Sequence, residues 1–339
     1  MLTTIYRPDG KISVLAGPLS SRCLIAEGRP TVHPRGQVMT LSRLHRAIAE
    51  GCGQGFGESY WPWIRVRRMT KGAVSNLNVF ANPLYARSMH LLSGLEVSAT
   101  IVALWLGASH AREQFPLWPE AHVHPAVNPE SSKSVQHQYV PGLLDIAEQA
   151  KIKHGNYPGT DIPYVATADL LLQPPSDRVG KLTLVPVKPA SEIAREGRKG
   201  DRVRERLELQ RRYANAIDAR YVEFTEAFGS PLLFSQLRCF SPGFSELARL
   251  RSSDQLHHFA AHFNSLQSEL VISKCRQVVM QRIGISDVQL SHSLFRTATW
   301  LGMINLDYRK PIQMNSPIRL DSSGYKASLA DQLFGPKTS

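Results

Sequence analysis

Two polar residues lie at predicted β-strands, and their types suit chemistry on a phosphodiester. Asp169 lies inside the segment TADLLLQ, and Lys188 closes the segment LTLVPVK. Both segments are short apolar runs next to turn residues, which is the pattern of buried strands. On adjacent strand ends, the carboxylate could hold a divalent cation, and the ammonium could orient an attacking water or stabilise charge on the phosphorus. The pair therefore favours phosphodiester hydrolysis, although one aspartate near a strand is common in any fold.

Glu96 is the candidate for a second carboxylate, on a predicted helix packed behind the sheet. It ends the segment Ser93-Gly-Leu-Glu96, which also has the spacing of a capping box. In a capping box the glutamate accepts a hydrogen bond from the backbone N–H of the N-cap residue. The spacing alone leaves both interpretations open, a metal ligand and a helix cap.

Apolar periodicity and turn residues predict the elements that would position these side chains. The predicted helices cover residues 40–50, 91–107 and 201–217, and the predicted strands cover residues 164–172, 181–187 and 221–224. Strands alternating with helices in this order suit a mixed sheet with helices packed on it. Residues 110–160 contain several prolines and five histidines, and we expect an inserted loop region there with a short helical patch over 143–152.

The pattern beyond about Pro242 is mainly helical. Its last predicted helix covers residues 291–301, and the alternating residues 303–308 follow directly. A helix followed at once by a β-ribbon resembles the end of a winged helix-turn-helix. The sequence therefore predicts a winged-helix-like unit near its end.

The charge of the chain indicates a polyanionic partner. The 339 residues include 40 Lys and Arg against 28 Asp and Glu, a formal net charge of +12. Nucleic acid is the expected partner, because each phosphate that Lys or Arg neutralises releases a condensed counterion. The longest apolar stretch, residues 95–107, is shorter than the roughly 20 residues of a bilayer span, and the first residues lack the layout of a secretory signal. We therefore expect a cytoplasmic protein with no membrane partner and with reduced cysteines.

A glycine-dense segment precedes a group of residues suited to nucleic acid. The candidate DNA contacts after this segment are Arg65, Arg67, Arg68 and Lys71, which follow Tyr60, Trp61 and Trp63. Glycines that permit close backbone approach, beside arginines and aromatic rings, could lie along a DNA backbone. A plain tight turn with a solvated face explains the same residues, so both interpretations stay open.

Histidines and a basic helix supply the remaining candidates. His122, His124 and His137 lie in the irregular region without an acidic or cysteine partner at fixed spacing, which favours solvated loop residues over a zinc site. His154, shortly before the first strand, is a candidate phosphate contact. Residues 195–212 hold eight basic residues against four acids, and Arg202 among them is a candidate DNA contact. Salt bridging on an exposed helix face is the alternative.

Several motifs occur together in a fixed order. They are IAEGCGQGFGESYWPWIRV (48–66), HLLSGLE (90–96), AREQFPL (111–117), TADLLL (167–172), VPVKPAS (185–191), LELQRRY (207–213) and the FTE turn (224–226). In these segments the chain resembles the TnsA family, the endonuclease subunit of heteromeric transposases in Tn-seven-like transposons. REQFPL and VKP are the most specific, and the last third of the chain is similar only in general pattern.

The resemblance implies an α/β fold with a restriction-endonuclease-like mixed sheet flanked by helices, followed by a mainly helical winged-helix domain. We accordingly expect a partly ordered N-terminal arm over residues 1–37 and a nuclease domain over residues 38–240, with an insertion at about 118–158. A winged-helix-like domain with a loose tail would cover residues 241–339.

The resemblance also implies an activity. In the family, the acid after the LLS-x-L motif, the acid of the first motif strand and the lysine of the VKP motif form the catalytic set, and these positions are Glu96, Asp169 and Lys188 here. The implied cofactor is Mg²⁺ or Mn²⁺. Family members cut the 5′ ends of a transposon, a DDE-type transposase cuts and joins the 3′ ends, and an AAA+ ATPase regulator binds the C-terminal domain. We therefore expect a nucleoid-associated endodeoxyribonuclease that acts with these partners on transposon ends.

One position departs from the family pattern. Two residues before the motif lysine, where the superfamily has Glu, Asp or Gln, this chain has Pro186. Proline offers neither a side-chain ligand nor an N–H, so only a backbone carbonyl such as that of Val187 could replace it as a metal ligand. Because Mg²⁺ keeps waters and takes phosphate oxygens, activity is still the expectation. The alternatives are a catalytically impaired adaptor that links transposon ends to the transposase and the regulator, and a basic DNA-binding module unrelated to transposition.

Overall fold

The computed structural model describes residues 4–6, 12–14, 38–66, 78–126, 138–178, 181–266 and 270–337. Its strands are β1 (Thr4–Tyr6), β2 (Ile12–Val14), β3 (Asn78–Ala81), β4 (Ser88–Leu91), β5 (His110–Leu117), β6 (His122–Val123), β7 (Tyr139–Val140), β8 (Ala166–Gln173), β9 (Thr183–Val185) and β10 (Arg220–Tyr221). Its helices are α1 (Leu41–Ala49), α2 (Gly94–Trp105), α3 (Leu143–Ala150), α4 (Ala190–Ile193), α5 (Gly197–Ala216), α6 (Pro231–Phe240), α7 (Phe244–Leu250), α8 (Asp254–Leu266), α9 (Ile272–Arg282), α10 (Val288–Trp300) and α11 (Tyr325–Phe334). In these ranges no helix is both long and apolar enough to cross a bilayer.

A four-stranded mixed sheet forms the centre of the N-terminal two thirds of the chain. Its strand order is β10-β9-β8-β5. The central strand β8 pairs antiparallel with both β5 and β9, and β9 pairs in parallel with β10. Leu170 and Leu172 of β8 join the core that contains α2, whereas Leu171 joins the core that contains α3 and α5. Helices thus cover both faces, and the predicted mixed sheet flanked by helices is confirmed.

The helix α2 is the element buried most completely against this sheet. Every residue from Glu96 to Trp105 is buried, as expected for a helix that is apolar on all sides. Ser93 is its N-cap, since the Ser93 hydroxyl accepts a hydrogen bond from the backbone N–H of Glu96 at 3.1 Å. The helix begins later than predicted, because residues 88–91 pair with β3 as the strand β4.

Most other predicted elements occur close to their expected places. The helices α1 and α5 correspond to the predictions over 40–50 and 201–217, and α3 corresponds to the helical patch. The strands β8, β9 and β10 occur but are shorter than predicted. The ladder of β9 with β8 stops at Val185, and the next N–H directed towards β8, that of Val187, donates to the side chain of Asp169 instead of to a backbone carbonyl.

The prediction of an inserted loop from residue 110 is wrong for residues 110–117. These residues form β5, the edge strand of the sheet, which pairs with β8 along its length. The polar run Arg112-Glu113-Gln114 in the middle of β5 is buried, which is why apolar periodicity does not reveal the strand. Pro116 is compatible with an edge position.

The C-terminal third is helical, but the winged-helix prediction is not confirmed. Within residues 301–337, all of which the structure describes, the predicted ribbon over 303–308 contains only the isolated bridge between Leu306 and Leu320. The predicted loose tail instead contains α11, with Leu333 and Phe334 buried. The Arg178 guanidinium donates to the Gly335 carbonyl and pairs with Asp331 at 2.7 Å.

One apolar core continues from α2 into the C-terminal helices. It joins α2 residues to residues of α6, α8, α10 and α11. The expected boundary at residue 240 stays a prediction. Of the expected N-terminal arm, the structure describes the antiparallel pair β1 and β2, and the rest of residues 1–37 lies outside the described residues.

A buried ion pair joins β5 to the residue directly before β4, and the loss of this pair should destabilise the fold. Arg87 meets Glu113 with two hydrogen bonds of 2.7 and 2.9 Å, and the Glu113 side chain is fully buried. Arg87→Met should lower the free energy of unfolding by about 3 kcal/mol, because it leaves a buried carboxylate without its partner. Urea denaturation measures the change.

The matched control is the exposed pair of Lys181 and Asp218, whose side chains are 60% and 77% exposed. Lys181→Met should cost less than about 1 kcal/mol, because water screens this pair. Equal losses in the two variants would contradict the assignment of Arg87 and Glu113 as a buried pair.

Candidate active site

The ends of β8 and β9 bring Asp169 and Lys188 together. Leu170 of β8 lies opposite Val185 of β9, so the following residues of β9 pass beside Asp169. The Lys188 ammonium lies 3.2 Å from Asp169 Oδ2, and the backbone N–H of Val187 donates to the same oxygen at 2.7 Å. No hydrogen-bond donor from the described part of the chain reaches Oδ1, which leaves that oxygen available to a further ligand.

Glu96 reaches the same place from the first turn of α2. Its Oε2 accepts hydrogen bonds from the backbone N–H of Leu92 at 2.9 Å and from Gln114 Nε2 at 3.0 Å. The Ser93 hydroxyl lies 3.1 Å from Oε1. The N-cap is therefore present, but the glutamate accepts from Leu92 rather than from the N-cap N–H of a standard capping box. Its carboxylate is held towards the sheet.

The two carboxylates influence one another. The pKa of Glu96 is raised to about 7, first by burial and then by the negative charge of Asp169. Hydrogen bonds from Leu92 and Ser93 and the charge of Lys188 oppose this rise. A bound cation would favour the ionised form of both acids, because it replaces the repulsion between them with attraction to itself.

The donor set fits a hard cation. Glu96 and Asp169 offer carboxylate oxygens, which Mg²⁺ and Mn²⁺ prefer, and Mg²⁺ commonly uses one or two carboxylates together with waters and substrate phosphates. Across the described ranges, no three His, Cys, Asp or Glu side chains cluster as a metal site.

An open cleft of about 550 Å³ leads to these residues. Its lining includes the charged or polar residues Gln114, His154, Asp169, Lys188, Glu192, Arg202, Glu205 and Arg206. The cleft thus exposes the Asp169 carboxylate and the Lys188 ammonium to a molecule that enters it, and two arginines lie in the same lining.

The sequence of this chain was compared with those of known proteins. The sequence matches no protein-family model. The transposon Tn7 transposition protein TnsA of Escherichia coli is 26% identical over 276 residues, which cover 80% of this chain and 88% of that protein. The chain is similar to TnsA. The similarity confirms the resemblance that the motifs indicated. The aligned region of 276 residues is longer than the motif segments together.

The TnsA motifs pointed to Glu96, Asp169 and Lys188. The structure places Asp169 and Lys188 in the lining of one cleft, and the buried Glu96 carboxylate contacts Gln114, which lines the same cleft. It also places the Val187 carbonyl beside Lys188, where the oxygen accepts a hydrogen bond from Nζ at 3.0 Å. Pro186 uses its own carbonyl to accept from the Phe224 N–H at 2.9 Å. Neither backbone oxygen is free of a hydrogen bond in this arrangement.

The predicted DNA contacts divide into three groups. His154 and Arg202 line the cleft, and burial lowers the pKa of His154. Arg65 lies apart from the cleft lining, with its guanidinium 4.0 Å from the centre of the Trp61 ring. Arg67, Arg68 and Lys71 lie outside the described residues, so their roles stay predictions.

The glycine-dense segment packs against β5. At Gly53, whose φ of 75° favours glycine, a Cβ atom would lie 2.4 Å from a side-chain atom of Pro116. The Tyr60 hydroxyl donates to the Glu113 carbonyl at 2.9 Å, and the Trp63 N–H donates to the Gln114 carbonyl at 3.2 Å. The segment is thus a tight turn, as one interpretation held, but it supports the edge strand instead of presenting a solvated face.

The histidines before α3 are bound within the protein. His122 is buried, with its ring nitrogens 2.8 Å from the Tyr213 hydroxyl and 3.0 Å from the Glu120 carbonyl. The prediction of a solvated residue is wrong for His122, whose pKa burial lowers to about 4. His124 Nε2 lies 2.9 Å from the Ile217 carbonyl, and His137 lies outside the described residues.

Sequence reasoning missed Gln114 and Thr167. The amide of Gln114 contacts Glu96, and the Thr167 hydroxyl donates to Gln114 Oε1 at 3.2 Å. Both residues belong to quoted motifs, AREQFPL and TADLLL. A polar residue inside a motif that lies on a buried strand was the signal that could have identified them.

From the carboxylates of this site we predict that the protein binds a divalent metal ion. Isothermal titration of the protein with Mn²⁺ should give saturable binding, and Asp169→Ala should abolish it, because that variant removes one of two carboxylate ligands. Asp145→Asn, on the exposed side of α3, is the charge-matched control and should bind as the wild type does. Unchanged Mn²⁺ binding by Asp169→Ala would contradict the site.

Proposed function

We propose that this chain is a TnsA-like, divalent-metal-dependent DNA endonuclease subunit of a heteromeric transposase, which hydrolyses phosphodiester bonds at the 5′ ends of its transposon. The observation that carries the proposal is the pairing of Asp169 with Lys188 in a cleft, together with the electrostatic interaction of both with the buried Glu96 carboxylate, in a chain similar to TnsA. Glu96, Asp169 and Lys188 come from α2, β8 and the end of β9, so their interaction results from the folded structure.

Each of these residues has a distinct task in the proposed reaction. Glu96 and Asp169 would hold Mg²⁺ or Mn²⁺, which when bound polarises a phosphoryl oxygen and lowers the pKa of a water. The Val187 N–H and the Lys188 ammonium both fix Asp169 Oδ2. The Lys188 side chain is 33% exposed to the cleft. It can therefore turn from Asp169 towards the scissile phosphate, where its charge stabilises the developing negative charge.

Because Pro186 has no side-chain ligand, other oxygens would have to complete the coordination of the cation. When Lys188 turns to the phosphate, the Val187 carbonyl loses its hydrogen-bond donor and becomes available as an oxygen ligand. Waters and phosphate oxygens would supply the rest, which Mg²⁺ accepts. Pro186 also supports the second candidate function, an adaptor with an impaired site that links transposon ends to partner proteins.

A basic face of α5 leads away from the cleft and suits a DNA backbone. Arg198, Arg202 and Arg206 are spaced four residues apart, so they lie on one side of the helix. Arg202 and Arg206 line the active-site cleft, and they also border a second cleft of about 460 Å³ together with Arg198 and Lys199. The ion pair of Arg202 with Glu205 is about 40% exposed, so a phosphate can replace it at little cost.

The proposed partners follow from the similarity to TnsA. They are transposon-end DNA, a DDE-type transposase that acts on the other strand and an AAA+ ATPase regulator. Cleavage is then a property of the assembled complex, and tests of activity require these partners with end DNA.

The strand-cleavage assay tests the proposal directly. With the cognate transposase, regulator and end DNA, Asp169→Ala should abolish 5′-strand cleavage, because it removes a proposed metal ligand. Lys188→Met should reduce it at least about 100-fold, because it removes charge stabilisation at the phosphate. The controls Asp145→Asn and Lys310→Met change exposed residues on other elements and should cut at the wild-type rate.

Full 5′-strand cleavage by Asp169→Ala would contradict the proposed mechanism. A wild-type complex that joins 3′ ends but leaves the 5′ strands uncut would favour the adaptor function instead.

Removal of cations from the α5 face should weaken DNA binding in a salt-dependent way. The double variant Arg198→Ala/Lys199→Ala should bind end DNA less tightly, and the slope of log affinity against log salt should fall by about 0.9 for each lost phosphate contact. Fluorescence anisotropy over a salt series measures both quantities. Lys310→Ala/Arg319→Ala removes the same charge elsewhere and should retain the slope; an equal decrease in both would refute a specific role for α5.

A further inference from the structure

Gln114 has an unusual backbone conformation for a residue within a strand. Its φ is 47°, in the left-handed region that residues with a side chain rarely adopt. Its neighbours Glu113 and Phe115 pair regularly with Leu170 and Ala168 of β8. Gln114 therefore lies across the ladder from Asp169. Such a conformation costs of order 1–3 kcal/mol, and it persists only where the surroundings hold it.

The contacts of Gln114 account for that conformation. Its carbonyl accepts the hydrogen bond from Trp63 of the glycine-dense segment. Its carboxamide joins two elements of the candidate site, since Nε2 donates to Glu96 on α2 and Oε1 accepts from Thr167 on β8. The residue is 1% exposed. Both ends of its amide are thus used, and neither is left for solvent.

We propose that Gln114 is a positioning residue that holds the Glu96 carboxylate beside Asp169 for the cation, an inference that rests on the proposed function. Glu96 and Asp169 belong to a helix and a strand, and the amide of Gln114 connects Glu96 to the sheet through Thr167. The amide donor orients the Glu96 carboxylate through its hydrogen bond of 3.0 Å to Oε2. Because it carries no charge, it leaves the attraction of both carboxylates for a cation intact.

The test compares metal affinity among matched variants. Gln114→Leu keeps the approximate volume of the side chain and removes both hydrogen bonds. We expect the affinity for Mn²⁺, measured by isothermal titration, to fall by about tenfold or more, as for other residues that orient metal ligands. In the partner-supplied cleavage assay, the Mn²⁺ concentration for half-maximal rate should rise by a similar factor, while the rate at saturating Mn²⁺ should change less.

Gln210→Leu is the matched control. Gln210 is also a buried glutamine that lines the same cleft, and its Oε1 has no hydrogen-bond partner. Its replacement should leave the affinity for Mn²⁺ unchanged. If Gln114→Leu does not fold, Gln114→Gly takes its place, because glycine adopts the left-handed conformation without strain and equally lacks the amide.

A double-mutant cycle separates positioning from a structural role. If Gln114 acts through Glu96, then Gln114→Leu should add little to the loss of Mn²⁺ affinity already caused by Glu96→Gln. Wild-type Mn²⁺ affinity in Gln114→Leu, or losses that add fully, would overturn the positioning role while the proposed function stands. Absence of Asp169-dependent Mn²⁺ binding in the wild-type protein would overturn both.

Discussion

The carboxylates of Glu96 and Asp169 are both buried and interact electrostatically, and the surrounding structure has to tolerate their charges. Burial and the charge of Asp169 both oppose ionisation of Glu96, whose pKa they raise. The compensating groups are Lys188, the Val187 and Leu92 N–H groups, the Ser93 hydroxyl and the Gln114 amide. Only one of these donors carries a charge. The two carboxylates thus have one positive side chain between them, and a bound cation would add a second positive charge.

Apolar packing holds the three elements that carry this site. The strand β8 is buried on both sides, with leucines directed to two separate cores. The helix α2 is buried almost all round, and its first turn presents Glu96 to the sheet. Because the apolar core continues from α2 into α6, α8, α10 and α11, the position of Glu96 depends on the C-terminal third as well as on the sheet. The site is therefore coupled to the packing of most of the chain.

Those parts of the fold that follow from local periodicity or from motifs could be predicted from the sequence. The prediction was wrong where contacts between residues distant in the sequence determine the structure. Asp169 and Lys188 could be placed because apolar runs surround them. The strand β5 was missed, because its polar residues are buried by partners far along the chain, such as Arg87 for Glu113. Within 303–308, the apolar residues Ile304, Leu306 and Tyr308 are buried, and so is Asp307 between the last two. However, Tyr308 packs against Trp105 at 4.9 Å between ring centres, so core packing explains the pattern without a wing.

Pro186 also has a structural consequence beyond the loss of a side-chain ligand. Asp169 lies across the β5 ladder from Gln114, and it directly precedes Leu170, whose pair with Val185 is the last of the ladder between β8 and β9. The Pro186 carbonyl accepts a hydrogen bond from the Phe224 N–H, and the N–H of the next residue, Val187, donates to Asp169 Oδ2. Gln114 cannot supply the missing ligand in this arrangement, since its oxygen accepts from Thr167 and its nitrogen faces Glu96. Oxygens of water then have to complete a cation's coordination in the protein alone, and oxygens of the phosphodiester would replace some of these waters when DNA is bound.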